Sequence, residues 1–237
     1  MSNESLRIAS FNIQGGRLGG RAELPPLVDA CTPLDADILG LQEVDRRQRR
    51  SGFADQAGAV ASGLQCKMVY GPTHRRIIRG QYGNALIVRG EIIENEVIRL
   101  PGSDTKQQLR AAILARVEVQ GIALTVAVTH LQHHPKRLHH LPNEAPDQLR
   151  ALLELLSARP GPRVLIGDFN MQPPRAAPIL TAAGYTVADT GPAYPAEQPR
   201  VQLDYIAVDG LVIESASVVD TGTVSDHHAI VATVRVP

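Results

Sequence analysis

Short runs of apolar and β-branched residues recur along the whole chain. Eleven of them predict strands: 6–11, 37–41, 67–70, 84–88, 92–100, 110–119, 122–129, 163–167, 203–208, 211–219 and 228–236. Helical patterns are fewer. They fall at 24–31, with Pro25 and Pro26 in the first turn, at 53–64, at 147–158, where Pro146 and Asp147 suit a helix start, and at 176–183. Strands outnumber helices by more than two to one, and helices lie between strands in both halves of the chain. Two sheets covered by helices are the packing this order predicts.

The irregular stretches 17–20, 133–144 and 191–199 are short enough to be loops, and no Ser/Gly linker or charge block interrupts the sequence. One domain over residues 1–237 is expected. The last two loops are Pro-rich, polar and adjacent to strand ends, where site-building loops usually sit.

Composition narrows the function. Apolar residues make up 43% and charged residues 20%, the balance of a folded globular body. Lys+Arg and Asp+Glu each total 24, so no global basic field draws in a polyanion. Aromatic residues are 3% with no Trp, which disfavours stacking several bases of a single strand. Cys31 and Cys66 form no CxxC pair, so neither a disulfide scaffold nor a thiolate metal site is indicated. No apolar run approaches 18 residues, and the polar start has no signal-peptide pattern; a cytoplasmic protein is expected.

Several predicted strands end in a residue able to bind metal or phosphate instead of in a turn signal. Asn12 closes the first, Gln42-Glu43 the second, and Thr129-His130-Leu131 a middle one. Gly167-Asp168-Phe169-Asn170 closes another, Leu203-Asp204-Tyr205 opens the next, and Ser225-Asp226-His227-His228 precedes the last. Carboxylates and carboxamides are the hard oxygen ligands that Mg²⁺ or Mn²⁺ prefers, and nearby imidazoles move protons at neutral pH. Taken singly, Asn12 reads as a turn residue, Glu43 as a surface carboxylate and Asp204 as a strand-start cap. Their order and joint occurrence carry the weight.

Together these segments, spanning Arg7 to Val234, resemble the endonuclease/exonuclease/phosphatase superfamily of metal-dependent phosphoesterases. The resemblance implies a four-layer α/β/β/α sandwich, an α/β fold of two mostly antiparallel sheets flanked by helices, with the site at one rim. It places Asn12, Glu43 and Asp226 at a divalent metal, Mg²⁺ or Mn²⁺. It assigns Asp168 to activation of the nucleophile, Asn170 to phosphate orientation, and His227 to the catalytic imidazole, paired with Asp204. His130 becomes a phosphate-contacting or acid-donating residue. Tyr82 and Asn84, in the segment 81–86, line the site, and Arg110 faces phosphate. Whether Asp168 or the Asp204–His227 pair serves as the base stays open.

Rival readings remain. Five of the eight histidines, His130, His133, His134, His139 and His140, crowd into residues 129–141, but their spacing matches no zinc signature, and Pro135 and Pro142 mark a loop. The arginines of 46–50 and Arg75-Arg76 read equally well as phosphate grips or as solvated loops. A non-catalytic binding module is disfavoured because every polar position of the set is present. With zero net charge and little sequence left for groove-entering loops, a small phosphoester is favoured over DNA or RNA as the substrate, with an endo- or exonuclease as the alternative.

Overall fold

Four layers stack in the order helix, sheet, sheet, helix. The computed structural model describes residues 5–16, 23–73, 80–102, 109–133 and 143–237. Its strands are β1 (Ser5–Asn12), β2 (Ile38–Arg46), β3 (Lys67–Pro72), β4 (Gln81–Val88), β5 (Glu91–Arg99), β6 (Ala111–Val119), β7 (Ile122–His130), β8 (Arg163–Asp168), β9 (Thr186–Val187), β10 (Asp204–Asp209), β11 (Val212–Val219) and β12 (Ala229–Arg235). The helices are α1 (Leu24–Cys31), α2 (Gln56–Gly63), α3 (Ala145–Ser157) and α4 (Pro173–Ala182). One sheet runs β11-β12-β1-β2-β4-β3 and the other β5-β6-β7-β8-β10-β9. No described helix is long and apolar enough to cross a membrane.

Each sheet holds one parallel pair near its middle, β1 with β2 and β7 with β8. Parallel neighbours need a crossover, and α1 and α3 supply it. These helices, with α2 and α4, cover the outer faces. Leu27, Val60 and Ala61 meet Phe11, Leu39 and Ile87 on one side, and Leu149, Leu152 and Leu180 meet Leu114, Leu165 and Tyr205 on the other. Between the sheets lies a third core of Leu6, Ile8, Ile38, Leu86, Val126, Val128, Val164, Ile166, Ile206 and Ile230.

Strand side chains alternate with period two, so the residues of this inner core fix the facing of every polar residue that follows them. Asn12 continues the face of Leu6 and Ile8, His130 that of Val126 and Val128, and Asp168 that of Val164 and Ile166. Asp204 precedes Ile206 and Val208 on the same face, and Asn84 precedes Leu86 and Val88. The polar set is therefore the outermost layer of the inter-sheet core at one end of the sandwich.

Several boundaries differ from the sequence expectation. The two-residue β9 is too short to give a pattern, so the described residues hold twelve strands where eleven are expected. β4 begins at Gln81 because Gln81–Gly83 pair with Val44–Arg46 beyond a bulge in β2. α2 begins at Gln56, since the Asp55 carboxylate caps it by accepting from Gly58 N at 3.1 Å. α3 and α4 each start two to three residues early, with prolines accommodated in the first turn.

Candidate active site

Strand register puts His130, Asp168 and Asp204 side by side on β7, β8 and β10: His130 is the partner of Asp168, and Asp168 of Asp204. All three are buried. Gly167 permits this row. A Cβ there would lie 2.0 Å from the Thr129 carbonyl oxygen, so only glycine lets β8 approach β7 this closely.

Asp168 is the hub. Its Oδ2 accepts from Asn12 Nδ2 at 2.9 Å, bringing in β1 of the other sheet, and its Oδ1 accepts from the backbone N–H of Asn170 at 2.8 Å. His130 Nε2 stands 3.6 Å and His227 Nε2 3.9 Å from Oδ2. Burial, with the neighbouring charge of Asp204, raises the Asp168 carboxyl to about 7, although His227 and the hydrogen bonds from Asn170 and Asn12 oppose this.

His227 Nδ1 lies 2.8 Å from Asp204 Oδ2. Burial alone would depress this imidazole. The charge and hydrogen bond of Asp204, with Asp168 and Asp226 behind it, outweigh burial and raise it to about 10. The other oxygen, Asp204 Oδ1, is buried without a partner among the described residues. Ser225 fixes the backbone here: its hydroxyl donates to the Asn12 carbonyl at 2.6 Å and accepts from the His227 N–H at 3.2 Å.

His130 has the opposite character. Asn170, whose φ of +50° turns the chain away from the strand, donates from Nδ2 to the Leu131 carbonyl at 3.1 Å and faces His130 Nε2 at 2.9 Å. A carbonyl can only accept, so the atom facing His130 is the amide nitrogen and Nε2 is the acceptor. Desolvation, together with Arg110, His227 and His133, holds this ring well below its ordinary pKa and keeps it neutral. The donating atom needed for a proton-donor role is thus not on the site-facing nitrogen. His133 Nδ1 meets Asn170 Oδ1 at 3.0 Å; His134, His139 and His140 lie outside the described residues.

Glu43 reaches the site through the bulge. The register of β2 on β4 slips between Leu41 and Val44, and Glu43 takes a φ of +59°. Its Oε1 is 3.4 Å from Asn12 Nδ2. Burial and the neighbouring Glu43 charge push the Tyr82 phenol up. The Arg50 guanidinium lies over the Tyr82 ring at 5.2 Å and is held at 2.5 Å by the buried Asp45. Gln56 closes this side, accepting from Asp45 N at 2.7 Å and donating to Gly15 O at 2.6 Å.

Asp226 is raised by burial and by the Glu43 charge, opposed by His227. It accepts from Gln14 Nε2 at 2.9 Å, and Gln14 N in turn donates to Asn12 Oδ1 at 3.1 Å. Glu43, Asp226, Asn12 and Gln14 thus converge as two mutually repelling carboxylates and two carboxamides. The carboxylate oxygens fit a hard divalent cation, and the two carboxamides present their N–H groups to those carboxylates. A second group of possible ligands, Asp168, Asp204 and His227, is buried and close-set. There the Nδ1 to Oδ2 distance is that of a hydrogen bond, and a shared proton accounts for it.

Arg110, just before β6, is buried; its Nε has no partner among the described residues, burial lowers its pKa, and the charges of Tyr82, Asp168 and Glu43 oppose that. Asn84 spends its amide on the Ala111 carbonyl at 2.9 Å, joining the two sheets beside Arg110. Of the arginine run, Arg46 is engaged by Asp55 and Arg50 by Asp45. Arg75 and Arg76 lie outside the described residues. His228 points at Thr221 and Asp220, away from the hub.

Sequence reasoning missed Gln14, Tyr194 and the Asp45–Arg50 support. Gln14 was within reach of it, two positions beyond Asn12. Tyr194, whose ring packs on His227 with centroids 4.7 Å apart, sits in the Pro-rich loop whose position beside a strand end was the only signal.

Residues 9–227 match the profile described as the Endonuclease/Exonuclease/phosphatase family. No curated protein matches the chain in sequence. Among solved structures, an endonuclease/exonuclease/phosphatase from Beutenbergia cavernae DSM 12333 superposes with a TM-score of 0.79 at 20% identity, covering 98% of this chain and 72% of its own. The human Nocturnin catalytic domain with bound sulfate anion gives 0.72 at 22% identity, covering 97% and 93%. D. rerio TDP2 complexed with single strand DNA product gives 0.72 at 18%, covering 98% and 99%.

Proposed function

The chain belongs to the endonuclease/exonuclease/phosphatase family, and from that premise we propose that it is a divalent-metal-dependent hydrolase of phosphoester bonds acting on a small phosphoester. The observation that carries this reading is the convergence on Asp168 of Asn12, Asn170, His130 and His227 from both sheets, beside the carboxylates of Glu43 and Asp226. Glu43 and Asp226 would hold Mg²⁺ or Mn²⁺, and the amide N–H groups of Asn12 and Gln14 hold those carboxylates in place. Such a cation neutralises charge on the phosphoryl oxygens and lowers the barrier to attack.

The chain's own residues do the rest. Asp168, with a carboxyl near neutrality, orients the attacking water and takes its proton. Between Asp204 and Asp168, His227 is held as a cation and stabilises the negative charge of the five-coordinate phosphorus. Neutral His130 and the Leu131 carbonyl take both hydrogens of Asn170 Nδ2, so Asn170 acts on the site through its backbone N–H, which holds Asp168 Oδ1. Arg110, buried with an Nε that has no partner among the described residues, supplies a second positive charge to the phosphate, and Tyr82 stands beside Glu43.

Zero net charge and the engagement of Arg46 and Arg50 by acidic partners support a small substrate over a long duplex. The relative complexed with single strand DNA product favours a nuclease as the second reading. The test is turnover of a panel of phosphate monoesters and diesters, with single-stranded and plasmid DNA alongside, in Mg²⁺ and in EDTA. The reading expects EDTA-sensitive hydrolysis of a small ester at the highest kcat/KM. Equal turnover in EDTA overturns the metal assignment, and faster plasmid nicking that falls steeply with salt overturns the substrate class.

A further inference from the structure

The loop between β9 and β10 is a strap across the segment that carries the catalytic imidazole. Tyr194 and Val201 pair through two backbone hydrogen bonds, Tyr194 N to Val201 O at 3.1 Å and Val201 N to Tyr194 O at 2.9 Å, which close residues 194–201 into a hairpin-like turn. The strap then grips both neighbours of His227: Ala196 N donates to Asp226 O at 2.7 Å, and His228 N donates to Ala193 O at 2.9 Å. Between these two anchors the Tyr194 ring packs against the His227 ring, with centroids 4.7 Å apart and planes inclined by 42°.

A single hydrogen bond from Nδ1 to Asp204 leaves the imidazole free to rock about that axis, and rocking moves Nε2, the atom that faces Asp168. An aromatic wall on one face removes that freedom without touching either nitrogen. The Tyr194 hydroxyl makes no hydrogen bond among the described residues, so the ring and not the hydroxyl provides the contact. We propose that Tyr194 is a positioning residue that, with the strap 193–201, fixes the plane of the His227 imidazole so that Nε2 stays aimed at Asp168 and the phosphate. The inference rests on the phosphoesterase reading for its kinetic consequence, though not for its structural one.

The test compares Tyr194→Phe and Tyr194→Leu by two readouts. The first is steady-state turnover of bis-para-nitrophenyl phosphate in Mg²⁺. The second, in metal-free protein, is the NMR resonance of the His227 Nδ1 proton, assigned by its loss in His227→Gln. Tyr194→Phe should keep kcat within about twofold and keep the resonance. Tyr194→Leu should lower kcat by roughly tenfold to a hundredfold with KM little changed, and broaden the resonance through exchange with water. Should Tyr194→Leu not fold, Tyr194→Met, which refills the volume with a flexible chain, carries the same expectations. Unchanged kcat in the Leu variant, a rise in KM alone, or equal damage in the Phe variant overturns the proposal. If the wild type turns over no phosphoester, the functional reading fails by itself, and the resonance still decides: the same sharp signal in the Leu variant overturns the role of Tyr194.

Discussion

Asn12 and Asp168 lie 156 positions apart on different sheets, yet the Nδ2 of one donates to the Oδ2 of the other across 2.9 Å. This bond joins the ends of β1 and β8 at the rim of the inter-sheet core. It ties the cation side of the proposed site to the proton-transfer side. A change at either residue is expected to disturb both.

Glu43→Gln removes the charge the cation needs while keeping an oxygen for Asn12. Turnover in Mg²⁺ should fall by about two orders of magnitude or more, with the melting temperature of the metal-free protein held or slightly raised as repulsion on Asp226 is relieved. Calorimetric titration with Mg²⁺ should show weakened binding; unchanged binding and turnover would remove Glu43 from the cation site.

Asp204 and His227 act as one unit through their 2.8 Å contact. Asp204→Asn and His227→Gln should therefore be strongly non-additive, the double variant being little slower than the worse single one. A double-mutant cycle in kcat/KM measures this, and additive losses would separate the pair. His130→Ala should act separately, by freeing Asn170.

Asp168 gives a pH dependence to stability. Its folded pKa of about 7 exceeds the unfolded value of 3.8, so the folded state retains a proton that the unfolded chain has already released. Stability present below about pH 4 is lost as pH rises toward 7. In EDTA, the melting temperature of Asp168→Asn minus that of the wild type should increase from pH 5 to pH 8, while activity is abolished. A difference that is flat or falling over that range would contradict the buried, raised carboxyl.

Gly167→Ala tests the row of three strands directly. The new Cβ would meet the Thr129 carbonyl at 2.0 Å, which backbone alone can relieve. A destabilisation of about 2 kcal/mol or more in urea is expected, with loss of activity, because β8 cannot stay in register with His130 once it is pushed from β7. Wild-type stability in this variant would mean that the strands have room.

Sequence alone was enough to mark Asn12, Glu43, His130, Asp168, Asp204 and Asp226 as polar residues at strand ends. Period two sets Asn12 on the face of Leu6 and Ile8, His130 on that of Val126 and Val128, and Asp168 on that of Val164 and Ile166, but Ala9, Phe11, Ala127 and Leu165 make the opposite faces apolar too, so packing decided which face meets the other sheet. Helix positions were legible too, though their starts shifted where prolines and the Asp55 cap moved the first turn. Tertiary structure alone decided register and the non-periodic contacts. Nothing local says that His130, Asp168 and Asp204 stand in one row, because pairing depends on how each strand's whole apolar face meets its neighbour's. The inward turn of Glu43 depends on a bulge fixed by β4, and the packing of Tyr194 on His227 on a loop that reaches from one sheet to the other. Such contacts have no period for a sequence to display, and they arise only when segments far apart in the chain are brought together by the burial of its apolar faces.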